Sequence, residues 1–241
     1  ASSYATLPLE VTALPRQVAE PLQSVNHVDT VVENSNGQKG TDDAEAPFTV
    51  APLIVDTEVS KSITPSEVWG VPGADANISL SGKVSDSSTI GAEYLKISDP
   101  VDPTSGEGQA FWNAFRPTAV ENTDIPQCTS LTLNYWSKDA GAWVPLPGAG
   151  PTEGPVSGYS FPIPAGIGDL GGIQYVFEPT CQATLPPGFT VITTLDVEVA
   201  LAHDTETVYT NDVQSEVDNK DSVVRKPTDE AEDQVQVNPI D

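Results

Sequence analysis

FTVITTLDVEVAL, residues 189–201, decides the fold. Leu195, Val197, Val199 and Leu201 occupy every second position, separated by Asp196, Glu198 and Ala200. Successive side chains of a strand point to opposite sides, so this spacing describes a strand with one dry and one wet face. The same alternation runs upstream through TSLTLNYW, where Leu131, Leu133 and Tyr135 share a face. EVSKSI, ANISLSGKV, EYLKI, QAFWNAF, GAWVPL, YSFPI and GGIQYVFE complete a series of short strand-like runs. Twenty-two prolines and eighteen glycines interrupt the chain throughout, leaving almost no window for an amphipathic helix. Half-buried strands at close spacing predict an all-β, antiparallel sandwich, Ig-like or jelly-roll-like.

Beyond Leu201 the composition becomes acidic and poor in aromatics, and only VYTNDVQSEV reads as a strand. This end repeats an earlier one. TDEAEDQVQVNPID, residues 228–241, aligns without a gap on the stretch that begins at Thr41, an offset of 228 − 41 = 187. Thr41, Asp42, Ala44, Glu45, Val50 and Pro52 meet identical residues. Further upstream Ala13-Leu14 meets Ala200-Leu201 at the same offset, while Asn26, Val28 and Asn34 meet Asn211, Val213 and Asn219 at 185, as if one loop differed by two residues. Self-similarity at fixed spacing is the sign of a repeat array. The expected organisation is therefore the C-terminal part of a preceding repeat at 1–54, a main sandwich at 55–201, and an acidic, partly extended and less ordered closing segment at 202–241. The absence of methionine fits a cut from a longer repetitive protein.

Ten basic against thirty-five acidic residues give a formal net charge of −25. Phosphate backbones are bound by Lys and Arg that displace counterions, so nucleic acid is excluded as a partner. No apolar run reaches the length that spans a bilayer, so this segment is not expected to insert in a membrane. Cys128 and Cys181 are even in number, flanked by strand-like sequence and outside any Cys-x-x-Cys context, which favours a disulfide and a place outside the cytoplasm.

The join TDDAEAPFTVAPLIVDTEVSKSITP, residues 41–65, resembles the junctions between repeat domains of large actinobacterial and other Gram-positive surface proteins, the DUF11-like group. Asn211-Asp212-Val213, Asp229 to Ala231 and Val237 to Pro239 match the closing half of that junction; Val59-Ser60-Lys61 and Pro65 match the opening half. Ile97-Ser98-Asp99-Pro100, Phe111 to Phe115 and Ala142-Trp143-Val144 resemble a larger, related repeat of cell-wall-anchored proteins. The resemblance implies β-sandwich modules that extend a stalk or adhesive array at the cell surface, with neighbouring repeats as partners and no enzymatic activity. No LPxTG-like sorting signal is present.

The chemistry-bearing residues are sparse. No nucleophile elbow, HExxH or phosphate loop occurs, and His27 and His203 read as solvated. Calcium, which takes clustered oxygen ligands, has weak candidates in Asp99, Asp102 and Glu107, or in Asp212, Glu216, Asp218 and Asp221; neither set has EF-hand spacing, and a solvated loop is preferred, so no cofactor is expected. Trp112, Trp136 and Trp143 are candidates for stacking on a glycan, or for contacting a host protein, with core packing as the simpler account. The resemblance also places a candidate isopeptide lysine at Lys61. An amide cross-link needs that lysine buried beside Asn or Asp and a carboxylate. Sequence does not identify the partner, and an ordinary surface lysine is the preferred reading.

Overall fold

The structure is a computed structural model and describes residues 20–240; the Ala13-Leu14 part of the repeat lies outside them. The chain divides into two compact units between Leu53 and Ile54. The described part of the first is one antiparallel hairpin, β1 (Leu22–Glu33) and β2 (Lys39–Val50).

The second unit is a sandwich. Its strands are β3 (Thr57–Thr64), β4 (Glu67–Trp69), β5 (Asp75–Val84), β6 (Tyr94–Asp99), then, after the helix α1 (Gly106–Ala114), β7 (Phe115–Ile125) and β8 (Thr129–Ser137). They continue with β9 (Ala142–Pro145), β10 (Thr152–Glu153), β11 (Val156–Pro162), β12 (Leu170–Pro179), β13 (Thr190–Val199), β14 (Thr207–Asp218) and β15 (Thr228–Asn238). One sheet has the order β11-β7-β13-β5-β3. The other has the order β10-β8-β12-β6-β14-β15-β4, with β9 added alongside β8. All the pairings are antiparallel except β15 with β4.

Alternation builds the core. Ala76, Ile78, Leu80 and Val84 of β5 are buried, as are Leu195, Val197 and Val199 of β13. Across the sandwich Leu95, Ile97, Leu131, Leu133, Tyr175 and Phe177 complete the packing. Gly82 lets the sheets meet closely, since a Cβ there would lie 2.5 Å from the Ile97 side chain. Cys128 and Cys181 form the expected disulfide, with Cα atoms 4.9 Å apart, tying the approach to β8 to the end of its neighbour β12.

Two expectations fail here. QAFWNAF does not continue a strand; it lies mostly in α1. Ser105 caps the helix by accepting a hydrogen bond from the Gly108 N–H at 2.8 Å, and a Cβ on Gly108 would strike the Asp102 carbonyl at 2.3 Å. The i, i+4 pair Phe111 and Phe115 then stacks at 4.5 Å between centroids. Replacing Ser105 with alanine is expected to cost about 1 kcal/mol, measured by urea unfolding.

The closing segment 202–241 is also not a loosely held tail. β14 lies inside the larger sheet between β6 and β15, and Val213, Val217, Val235 and Val237 are fully buried. The sandwich thus continues past residue 201. Acidic residues on β15 help to hold it, because Asp229 and Asp233 accept hydrogen bonds from the Val59 and Ile63 N–H groups of edge strand β3 at 2.8 and 2.7 Å. Asp218 clamps the turn after β14: its carboxylate accepts bonds from Arg225 at 2.8 and 2.6 Å, which hold its pKa down at about 2. A depressed carboxylate stabilises the fold fully above its unfolded value near 3.8 and loses that contribution as pH falls through about 2. Asp218→Asn is therefore expected to lower the melting temperature at neutral pH and to match the parent protein once the pH falls below about 2.

Candidate functional site

Three strands each contribute one residue of a polar cluster from their buried face. On β3, Lys61 shares the inward face with Thr57, Val59 and Ile63. On β6, Asp99 follows Leu95 and Ile97 on the apolar side. On β14, Asn211 precedes Val213, Ser215 and Val217 on the same side. The side chains of Lys61 and Asp99 are both fully excluded from solvent, and Asn211 is nearly so. Lys61 is not a surface lysine.

The three meet at one oxygen. Lys61 Nζ donates to Asp99 Oδ2 at 2.5 Å and to the Asp212 carbonyl oxygen at 3.1 Å. Asn211 Nδ2 donates to the same Asp99 Oδ2 at 3.2 Å. Asp212 also fixes the surroundings, since its carboxylate accepts a hydrogen bond from the Val101 N–H just beyond β6. The other Asp99 oxygen, Oδ1, and Trp112 Nε1 are buried without a hydrogen-bond partner. The Trp112 indole opposes the desolvation of Asp99 by favouring the charged carboxylate.

Burial dominates the electrostatics. Removal from water pushes the Lys61 amine below its ordinary pKa, against the opposing pull of Asp99. The same desolvation raises the Asp99 carboxyl, against the pull of Lys61. Both directions favour the uncharged pair, a free amine beside a protonated acid, because neutral partners avoid the cost of dehydrating two ions. A neutral amine is a nucleophile, and the neighbouring amide carbon is electrophilic once an acid polarises its oxygen.

Most of the remaining candidates fall elsewhere. Asp99 belongs to this buried cluster, Asp102 binds the Thr104 backbone and hydroxyl, and Glu107 stands exposed in the first turn of α1. In the tail set, Glu216 binds Tyr94 and Lys96, while Asp218 binds Arg225. Among the described residues no group of three or more His, Cys, Asp or Glu side chains is arranged to hold a metal. Trp112 is 4% exposed and packed edge to face beside Phe111, so it is no glycan platform. Trp136 and Trp143 are half-buried cross-strand partners that meet edge to face at 5.6 Å. His203 is held by Tyr209 Oη and the Leu201 carbonyl at 2.9 and 2.8 Å, rather than simply solvated. Among the described residues no helix is long and apolar enough to cross a membrane.

No family model matches the sequence, and no curated protein matches it. Solved structures are similar at low identity. A variant of BcpA, the major pilin subunit of Bacillus cereus, aligns over 88% of this chain and 48% of its own at 11% identity and a TM-score of 0.43. Two domains of the major pilin SpaD from Corynebacterium diphtheriae align over 74% of this chain and 51% of theirs, at 9% identity and a TM-score of 0.40. The C-terminal domain of the AgI/II polypeptide BspA from Streptococcus agalactiae aligns over 91% of this chain and 59% of its own, at 11% identity and a TM-score of 0.37. The chain spans roughly half to three-fifths of the length of these structures.

Proposed function

We propose that this chain is a structural module of an extracellular, surface-attached protein, and that its sandwich is locked by a self-formed amide bond between Lys61 and Asn211 with Asp99 as the assisting acid. The observation that carries the reading is the convergence of a solvent-free amine, carboxyl and carboxamide on one oxygen. With Asp99 protonated, its hydroxyl donates to the Asn211 amide oxygen after a half-turn of the amide. The Lys61 lone pair then attacks Asn211 Cγ. The new Nζ–Cγ bond forms, the Cγ–Nδ2 bond breaks, and the proton lost by the amine reaches the departing nitrogen through Asp99. One ammonia leaves, and no oxidant or cofactor is consumed.

Each protein performs this step once, so the chemistry is maturation rather than turnover. The bond would join β3 near the start of the sandwich to β14 near its end, in opposite sheets. A pulling force entering at one end would then pass through covalent bonds, which suits a stalk module. The disulfide supports a place outside the reducing cytoplasm, and the acidic surface favours solubility and mutual repulsion along an extended array.

Intact mass tests the proposal. The parent protein is expected to weigh one ammonia less than its sequence after allowance for the disulfide, and tandem fragmentation should yield a branched peptide joining Lys61 to Asn211. Lys61→Met and Asn211→Ala should each keep the full sequence mass. An unmodified parent mass rejects the bond.

A further inference from the structure

The hairpin β1–β2 matches β14–β15 in register as well as in sequence. Adding 185 to the β1 member and 187 to the β2 member of each pair turns Leu22↔Val50 into Thr207↔Val237, Val28↔Ala44 into Val213↔Ala231, and Asn26↔Ala46 into Asn211↔Asp233. The two-residue difference therefore falls between the paired strands, as an insertion in the turn. Asn26 stands where Asn211 stands, and Val28, Thr30 and Val32 follow it as Val213, Ser215 and Val217 follow Asn211. On the facing strand Asp42, Ala44 and Val50 take the places of Asp229, Ala231 and Val237, with Phe48 in the place of Val235.

The two hairpins differ in what covers them. Val213, Val217, Val235 and Val237 are fully buried under the sandwich body, whereas Val28, Val32 and Phe48 are 47%, 72% and 48% exposed. A hairpin of two strands with a bare apolar face is marginal in water, and such a face marks a surface built to be covered.

We infer that β1–β2 is the closing hairpin of a second sandwich, and that Asn26 is the amide acceptor for a buried lysine supplied by that sandwich's body. The occupant of the face is a body of the same type as residues 54–206 that lacks its own closing hairpin. It offers an inward lysine on an edge strand and an inward carboxyl on the neighbouring sheet. This inference rests on the cross-link proposed above. Asp42, the counterpart of Asp229, would accept the backbone N–H of the strand that carries the lysine, as Asp229 does for Val59.

A graft tests it in the full chain. Residues 207–237 are replaced by residues 22–50, which brings Asn26 opposite Lys61 and Asp99. A second graft retains Tyr209 and Asp233 of the original hairpin, to offset the loss of packing and of the bond to Ile63. The expected result is a folded protein, judged by circular dichroism and a cooperative melt, that has lost one ammonia and yields a branched peptide joining Lys61 to the grafted Asn26. A folded graft with unmodified mass, or failure of both grafts to fold, overturns the inference. An unmodified parent protein would instead remove the cross-link reading itself. A covalent dimer of the parent, linked through Asn26, would place the hairpin in a second intact copy and overturn the stated occupant.

Discussion

Asp99→Ala is expected to keep the full sequence mass and to unfold far more easily than the parent protein. Two losses combine. The first is the bond between Lys61 and Asn211, which closes a loop of 211 − 61 = 150 residues; by analogy with a disulfide, a closure of that length restricts the unfolded chain by about 5 kcal/mol. The second is the carboxyl partner of a fully buried amine, which is left with only the Asp212 carbonyl as acceptor; losing a hydrogen-bond partner at a buried group costs about 1–3 kcal/mol more. Together these rival the whole stability of an ordinary domain, roughly 5–15 kcal/mol. Lys61→Met separates the two, since it removes the bond without stranding an amine and should therefore fall between Asp99→Ala and the parent. Urea unfolding of the three proteins, beside their intact masses, checks the order. Equal midpoints for the parent and Lys61→Met would show that no cross-link contributes.

Removing the disulfide by Cys128→Ser with Cys181→Ser is the second large effect. The cysteines are 53 residues apart, and a closure of that length contributes about 4 kcal/mol. This loop lies wholly between Lys61 and Asn211. If the amide bond already restricts the unfolded chain, the loss on removing the cysteines should be smaller in the parent than in Lys61→Met, because the inner closure has less freedom left to remove. Thermal melts of the four proteins form the cycle that measures this coupling.

The all-β class was legible because period-two alternation survives in β5, β8 and β13. The disulfide was legible from two cysteines beside strands. α1 was missed because Ala110, Trp112 and Ala114, apolar at every second position, also fit a strand over so short a run. The capping contact that selects the helix lies upstream, at Ser105, amid residues that read as a turn. The tail was misjudged for a different reason. Charged residues suggest exposure, but on β15 they occupy wet positions or bind the edge of β3, while alternate valines enter the core.

The site was half visible. Alternation alone puts Lys61 in line with Val59 and Ile63, Asp99 with Leu95 and Ile97, and Asn211 with Val213 and Val217, each a polar residue out of place on an apolar face. A strand's pleat is local, so sequence determines which side each of these residues takes. That they share one dry pocket was decided by the tertiary structure, because β3 lies in one sheet and β6 and β14 are neighbours in the other. Asp99 and Asn211 are 112 residues apart and meet because β6 pairs with β14, while Lys61, 38 residues from Asp99, reaches them only because one sheet packs on the other.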